Sequence, residues 1–189
     1  MKIENINKAA DILYNSRINL KRIQSLPLHC NPNNKNEAYS IQETLIKKYL
    51  SVNTNSSVIG KKVGCTNKTA QEQINVKEPF YGNLLSNYSS KSNFSLKSDN
   101  FFGPFVEPEF SFKIKHELNP SKFPYSFDEV YKSIDSVLPS IEIVDSRFND
   151  WTKVGIYNLI ADNAVNAYWI YGNNVTDIKT LKQPYINIS

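Results

Sequence analysis

The sequence predicts an α+β fold: a helical N-terminal region over residues 1–57 and a β-rich, carboxylate-bearing region over 58–189, together one structural domain. Three features of the chain point there. Apolar residues recur at helical spacing through the first fifty positions, later apolar runs around Glu107, Glu142 and Trp169 are short and strand-like, and polar or glycine-containing turns separate them. At 189 residues the chain is long enough to bury a real core and requires no second domain.

Taken in order, Ile6, Ala9, Ala10, Leu13, Leu20 and Ile23 lie on one helical face, which extends the first helix through about two dozen residues until Pro27 helps to end it. The Pro32-containing stretch 31–36 is a polar turn. Asn36 supplies the cap of a second helix, whose apolar stripe is Ala38, Ile41, Leu45 and Tyr49. Residues 51–57 read as a mobile loop, and 58–65 as a short strand punctuated by Gly60 and Gly64. Thr66 or Asn67 then caps a short helix up to Ile74. The Ser, Asn and Lys-rich segment 86–100, pinned only by Tyr88, Phe94 and Leu96, is a loop or edge hairpin. A strand through Glu107 follows. The capping box Ser126-Phe127-Asp128-Glu129 opens a helix into Ile134, because the Ser hydroxyl and the Glu carboxylate satisfy opposite orphan amides. The strand around Glu142 comes next, then a polar turn at 145–151. Residues 158–166 fit either helix or strand, and 167–171 form a strand closed by Gly172. The end, 185–189, looks like one more strand.

The chemistry concentrates on three acids. Glu107 and Glu109 stand two apart in Val-Glu-Pro-Glu-Phe, so on a strand they project side by side, with Ser111 and Lys113 behind them and Phe110, Phe112 and Ile114 on the other face. Such alternation also describes the wet face of a half-exposed strand. Glu142 favours a site: Val137, Leu138, Ile141, Ile143 and Val144 surround it with a nearly continuous apolar run, as in a strand covered on both faces. A buried carboxylate there calls for a metal or a basic partner. Hard oxygen donors held close together suit Mg²⁺ or Mn²⁺.

Other classes of function find less support. The net charge of +4 comes from lysines scattered among acids, without a basic block, which argues against nucleic acid and is compatible with a small anionic substrate. Cys30 and Cys65 form neither a metal-ligand spacing nor a disulfide framework and read as free thiols, Cys65 as a small packed residue in a Gly-Cys-Thr turn. Without an apolar N-terminal segment or a membrane-length run, the expected setting is cytoplasmic, with no membrane partner. His29 and His116 are isolated and lack the positioned partner that acid–base work needs. Asp145 and Arg147 are placed to pair with each other, Asp162 and Asn163 to bond nearby backbone, and Trp151, Tyr168 and Trp169 to lie in the core.

Several segments resemble one family in order and spacing, over about residues 36–172: Ala38-Tyr39-Ser40-Ile41-Gln42, Gly60-Lys61-Lys62-Val63-Gly64-Cys65-Thr66, Val76-Lys77-Glu78-Pro79-Phe80-Tyr81-Gly82, Val106-Glu107-Pro108-Glu109, the stretch from Leu138 to Arg147, Trp151, and Ala161-Asp162-Asn163-Ala164. The chain is similar to the 2-oxopent-4-enoate hydratases and 4-oxalocrotonate decarboxylases of the fumarylacetoacetate hydrolase superfamily. The resemblance implies a mixed β-sheet roll or barrel, with Glu107, Glu109 and Glu142 as ligands of Mg²⁺ or Mn²⁺. It implies a Lys62 that neutralises the substrate carboxylate or moves a proton, substrate contacts from Thr66 and Asn163, and a lid made by the helix after Thr66. The implied substrate is a short unsaturated 2-oxo or 2-hydroxydienoic acid.

The chain departs from the family pattern in three places. Phe80 stands where the family often has an acid, Val165 where it often has serine, and the sheet is expected to be incomplete at the C-terminus. The first expectation is therefore a hydro-lyase. Its alternatives are a 2-oxo acid decarboxylase or acylpyruvate hydrolase, and a non-catalytic or truncated paralogue that acts as a partner subunit. A homo-oligomer or a complex with a related chain is expected, since an unfinished sheet is an association surface.

Overall fold

A computed structural model describes residues 1–173. The elements are α1 (Ile3–Ile18), α2 (Lys35–Val52), β1 (Val58–Gly64), α3 (Lys68–Gln73), β2 (Phe80–Leu85), β3 (Ser89–Lys91), β4 (Phe105–Ile114), α4 (Phe127–Ser133), β5 (Ile134–Val144), α5 (Ile156–Ala161) and β6 (Asn166–Tyr171). Helices lead and sheets follow, which is the α+β order read from the sequence. The strand expected at 185–189 lies outside the described residues.

Two corrections concern the helical end. α1 stops at Ile18: Asn19 caps it and Leu20 turns into left-handed backbone at φ 46°. The periodicity overran the helix because Ile23 is apolar for another reason. It forms a bridge to Phe148, its N–H donating to the Arg147 carbonyl at 2.9 Å while its own carbonyl accepts from Asn149 at 3.0 Å. The cap of α2 is Asn34, whose side chain accepts from Glu37 N–H at 3.0 Å; Asn36 already lies within the first turn. At α3 and α4 the expected caps form, Asn67 accepting from Ala70 N–H and Ser126 exchanging bonds with Glu129.

β1 and β2 pair antiparallel. The other sheet has the order β3-β6-β5-β4, antiparallel except for β3 beside β6. Segment 86–100 is thus no hairpin: its strand β3 runs parallel to the distant β6 at the sheet edge. One apolar cluster joins α1 and α2 to Phe148 and Ala161. A second joins Ala38 of α2 to Phe80, Val144, Leu159, Ile160 and Val165. The buried face of α2 therefore ties both clusters together and sets the end of β5 against β2.

The sheet is inside out relative to the usual reading of alternation. On β4 the phenylalanine face is the exposed one, with Phe110 at 42%, Phe112 at 48% and Ile114 at 51%, while Glu109 is half-buried. β5 is not covered on both faces, since Ile141 is 38% exposed, yet Glu142 on its other face is fully buried. Tyr168 and Trp169 are only partly buried. The polar stretch after β5 is no surface turn either: Asp145, Ser146, Arg147 and Phe148 are all buried. Arg147 pairs there with Asp162, not with the side chain of Asp145, because both guanidinium edges are taken up by Asp162 and by main-chain carbonyls. Asp145 instead accepts from the N–H groups of Phe102 and Gly103. Among the described residues no helix is long and apolar enough to cross a membrane.

Candidate metal centre

Strand register brings the three acids together. Glu107 of β4 lies directly across from Glu142 of β5, and Glu109, two residues on, lies across from Ser140. Directly opposed side chains share a face. One carboxylate oxygen from each of Glu107, Glu109 and Glu142 falls within 4.8 Å of the others. Burial increases from the exposed Glu107 through Glu109 to the fully buried Glu142.

Glu142 is held on both sides. Asn166 Nδ2 donates to its Oε1 at 2.8 Å, and the ammonium of Lys62, reaching over from β1, lies 3.1 Å from Oε2. That Oε2 is buried and receives no well-aligned hydrogen bond. Lys62 is itself buried and donates to the Ala164 carbonyl at 3.1 Å. Burial pushes the Glu142 carboxyl above its usual range, partly offset by Lys62 and Asn166. Burial, then the charge of Glu142, pushes Glu109 up to about 7. Three carboxylates near one ammonium leave uncompensated negative charge when ionised, and a buried oxygen without an aligned donor is a group that a cation would satisfy. The all-oxygen donor set fits a hard divalent ion.

The remaining expected residues are distributed unequally. Thr66 is exposed just beyond β1. Asn163 is buried with its amide engaged at both ends, Oδ1 accepting from Asn83 N–H at 2.7 Å and Nδ2 donating to Asn83 O at 2.9 Å. Phe80 and Val165 are buried in the second apolar cluster. α3 has no buried residue. Sequence reasoning did not single out Asn166, the hydrogen-bond partner of Glu142. It also assigned Trp169 to the core, whereas that residue opposes Glu142 across the β5–β6 ladder and stacks on Tyr171, ring centroids 4.6 Å apart. The alternation of β6 would have placed Trp169 and Tyr171 on one face, but not on the face of the carboxylates.

No protein-family model matches the chain. Among characterised proteins, it is 36% identical over 126 residues to 2-hydroxyhexa-2,4-dienoate hydratase of Comamonas testosteroni, covering 66% of this chain and 47% of that protein. It is 30% identical over 166 residues to 2-keto-4-pentenoate hydratase of Paraburkholderia xenovorans, covering 88% of this chain and 60% of the relative. The chain thus spans about half to three fifths of the length of these relatives. Among solved structures, 4-oxalocrotonate decarboxylase from Pseudomonas putida G7, complexed with magnesium and adipate, superposes with a TM-score of 0.82 at 24% identity, covering 93% of this chain and 65% of that one. The same enzyme complexed with calcium and acetate gives 0.80. By sequence the chain is similar to the 2-keto-4-pentenoate hydratases, and its fold is that of 4-oxalocrotonate decarboxylase.

Proposed function

We propose that the chain carries the metal- and substrate-binding site of a lyase acting on a short unsaturated 2-oxo or 2-hydroxydienoic acid, with Mg²⁺ or Mn²⁺ as cofactor. The observation that carries this reading is the convergence of Glu107, Glu109 and Glu142 within 4.8 Å, with the Lys62 ammonium against the buried member. The hydratase relatives and the magnesium complex of the structural neighbour support it.

In this reading the three carboxylates hold the cation, which supplies Lewis-acid polarisation of the 2-oxo group. Asn166 keeps Glu142 in one orientation, so the buried ligand costs no reorganisation when the cation enters. Lys62 supplies the positive charge for the substrate carboxylate and is the candidate proton carrier. Exposed Thr66 is the candidate contact at the mouth. Phe80 and Val165, buried in the second apolar cluster, offer no group that could hold or activate a water. A carboxy-lyase is the second reading, and those two apolar side chains favour it: releasing CO₂ needs the same electron sink but no positioned water. The free thiols Cys30 and Cys65 suit a reducing, cytoplasmic setting. The exposed apolar face of β4 supports association with a second copy.

The test is turnover of 2-hydroxypenta-2,4-dienoate, followed by loss of its absorbance, and of 4-oxalocrotonate, followed by CO₂ release. Metal-dependent turnover of either, abolished in Glu142→Gln and Lys62→Met, is expected. If the metal-loaded protein turns over neither, the lyase reading fails.

A further inference from the structure

Asn163, Ala164 and Val165 are three successive non-glycine residues in left-handed backbone, with φ of 52°, 51° and 56°. Single residues of this kind are uncommon, and a β-branched one such as Val165 is a genuine outlier, so the surroundings must impose the turn. They do so from three sides. The Asn163 amide clamps both main-chain groups of Asn83 in β2. Asp162, just before the turn, is fully buried and paired with Arg147, which also donates to the Asp162 carbonyl. On the third side the turn rests on Gly82, where a Cβ would overlap the Asn163 carbonyl oxygen and stand 3.0 Å from the Ala164 methyl.

Gly82 is the cross-strand partner of Lys62. The result of this construction is the direction of one carbonyl: Ala164 O, in the middle of the left-handed run, accepts the Lys62 ammonium that lies against Glu142. We infer that this turn is a positioning device for Lys62, and that Asn163 acts through its clamp on β2 rather than on substrate. A lysine has a flexible four-carbon stem and a strongly hydrated head, so without a fixed acceptor its ammonium has no unique place in a buried site. The functional weight of the inference rests on Lys62 being the cation of the proposed site, but its geometry can be tested without turnover.

The experiment is acetylation with N-hydroxysuccinimidyl acetate, read at Lys62 by peptide mass spectrometry, in wild type, Asn163→Ala, Asn163→Asp, Gly82→Ala and the control Asn34→Ala, which uncaps α2 without touching the turn. Lys62 is expected to label at least about tenfold faster in Asn163→Ala and Gly82→Ala, since local opening sets the rate. It should label at an intermediate rate in Asn163→Asp, which keeps only the acceptor half of the clamp, and at the wild-type rate in Asn34→Ala. Wild-type protection of Lys62 in the clamp variants, or equal exposure in Asn34→Ala, overturns the inference. Should Asn163→Ala fail to fold, Asn163→Asp decides by the same criterion. Absence of Mn²⁺ binding in wild type contradicts the metal site and leaves the labelling comparison intact, so the two ideas fail separately.

Discussion

At the scale of single residues, the informative fact is a carboxylate placed where carboxylates are costly. Glu142 was legible because an acid inside an apolar run demands a partner, and Glu107 with Glu109 because a two-residue spacing shares a strand face. The partners were less so. Asp162 lies fifteen residues from Arg147 and is brought to it by the chain reversing through a short 3-10 turn and helix α5, which no local pattern encodes. The raised Glu109 carboxyl has a definite pH signature. Unfolded Glu109 titrates near 4.5 and folded Glu109 near 7, so between these values the metal-free folded state holds more protons. Its contribution therefore favours folding at low pH and is lost as pH rises through 7. Glu109→Gln should raise the melting temperature of the metal-free protein at pH 8, measured by calorimetry, while weakening Mn²⁺ binding. Because the cation must displace that proton, Mn²⁺ affinity should fall about tenfold per pH unit below 7. Asp162→Asn strands the Arg147 charge in the core and should cost about 3–5 kcal/mol in urea unfolding.

At the scale of elements, local chemistry located the pieces and tertiary structure trimmed them. The capping box at Ser126 was readable because two residues satisfy each other within one turn. Among the closely spaced asparagines at 31–36, which one caps α2 depends on the turn geometry preceding it; the structure selects Asn34. Asn34→Ala should therefore cost about 1 kcal/mol, and Asn36→Ala less than about 0.5, in thermal unfolding. Alternation on β4 separated two faces correctly but could not say which is inside. Phenylalanine spacing suggests a core, whereas it is the carboxylate side that is covered, by Lys62 reaching over from β1. Non-local pairing also explains why β3 looked like a loop: its partner β6 lies some eighty residues away.

At the scale of the molecule, the fold class was readable from the order of periodicities, and the sheet order β3-β6-β5-β4 was not, because pairing between distant strands leaves no local mark. The chain spans only part of the length of its relatives, and Phe105, Val106, Phe110, Phe112 and Ile114 of the edge strand β4 are exposed. Such an apolar edge favours association. Light scattering across a concentration series should show self-association that Phe110→Lys with Phe112→Glu reduces; equal mass for both proteins would argue against it. All of the proposed chemistry depends on whether three carboxylates from two adjacent strands take up a cation. The direct measurement is calorimetric titration of Mn²⁺, with and without oxalate as a 2-oxo acid mimic, into wild type and Glu142→Gln. Binding of about one ion per chain, tightened by oxalate and lost in the variant, is the expected result; no binding by wild type, or equal binding by both, would contradict the site.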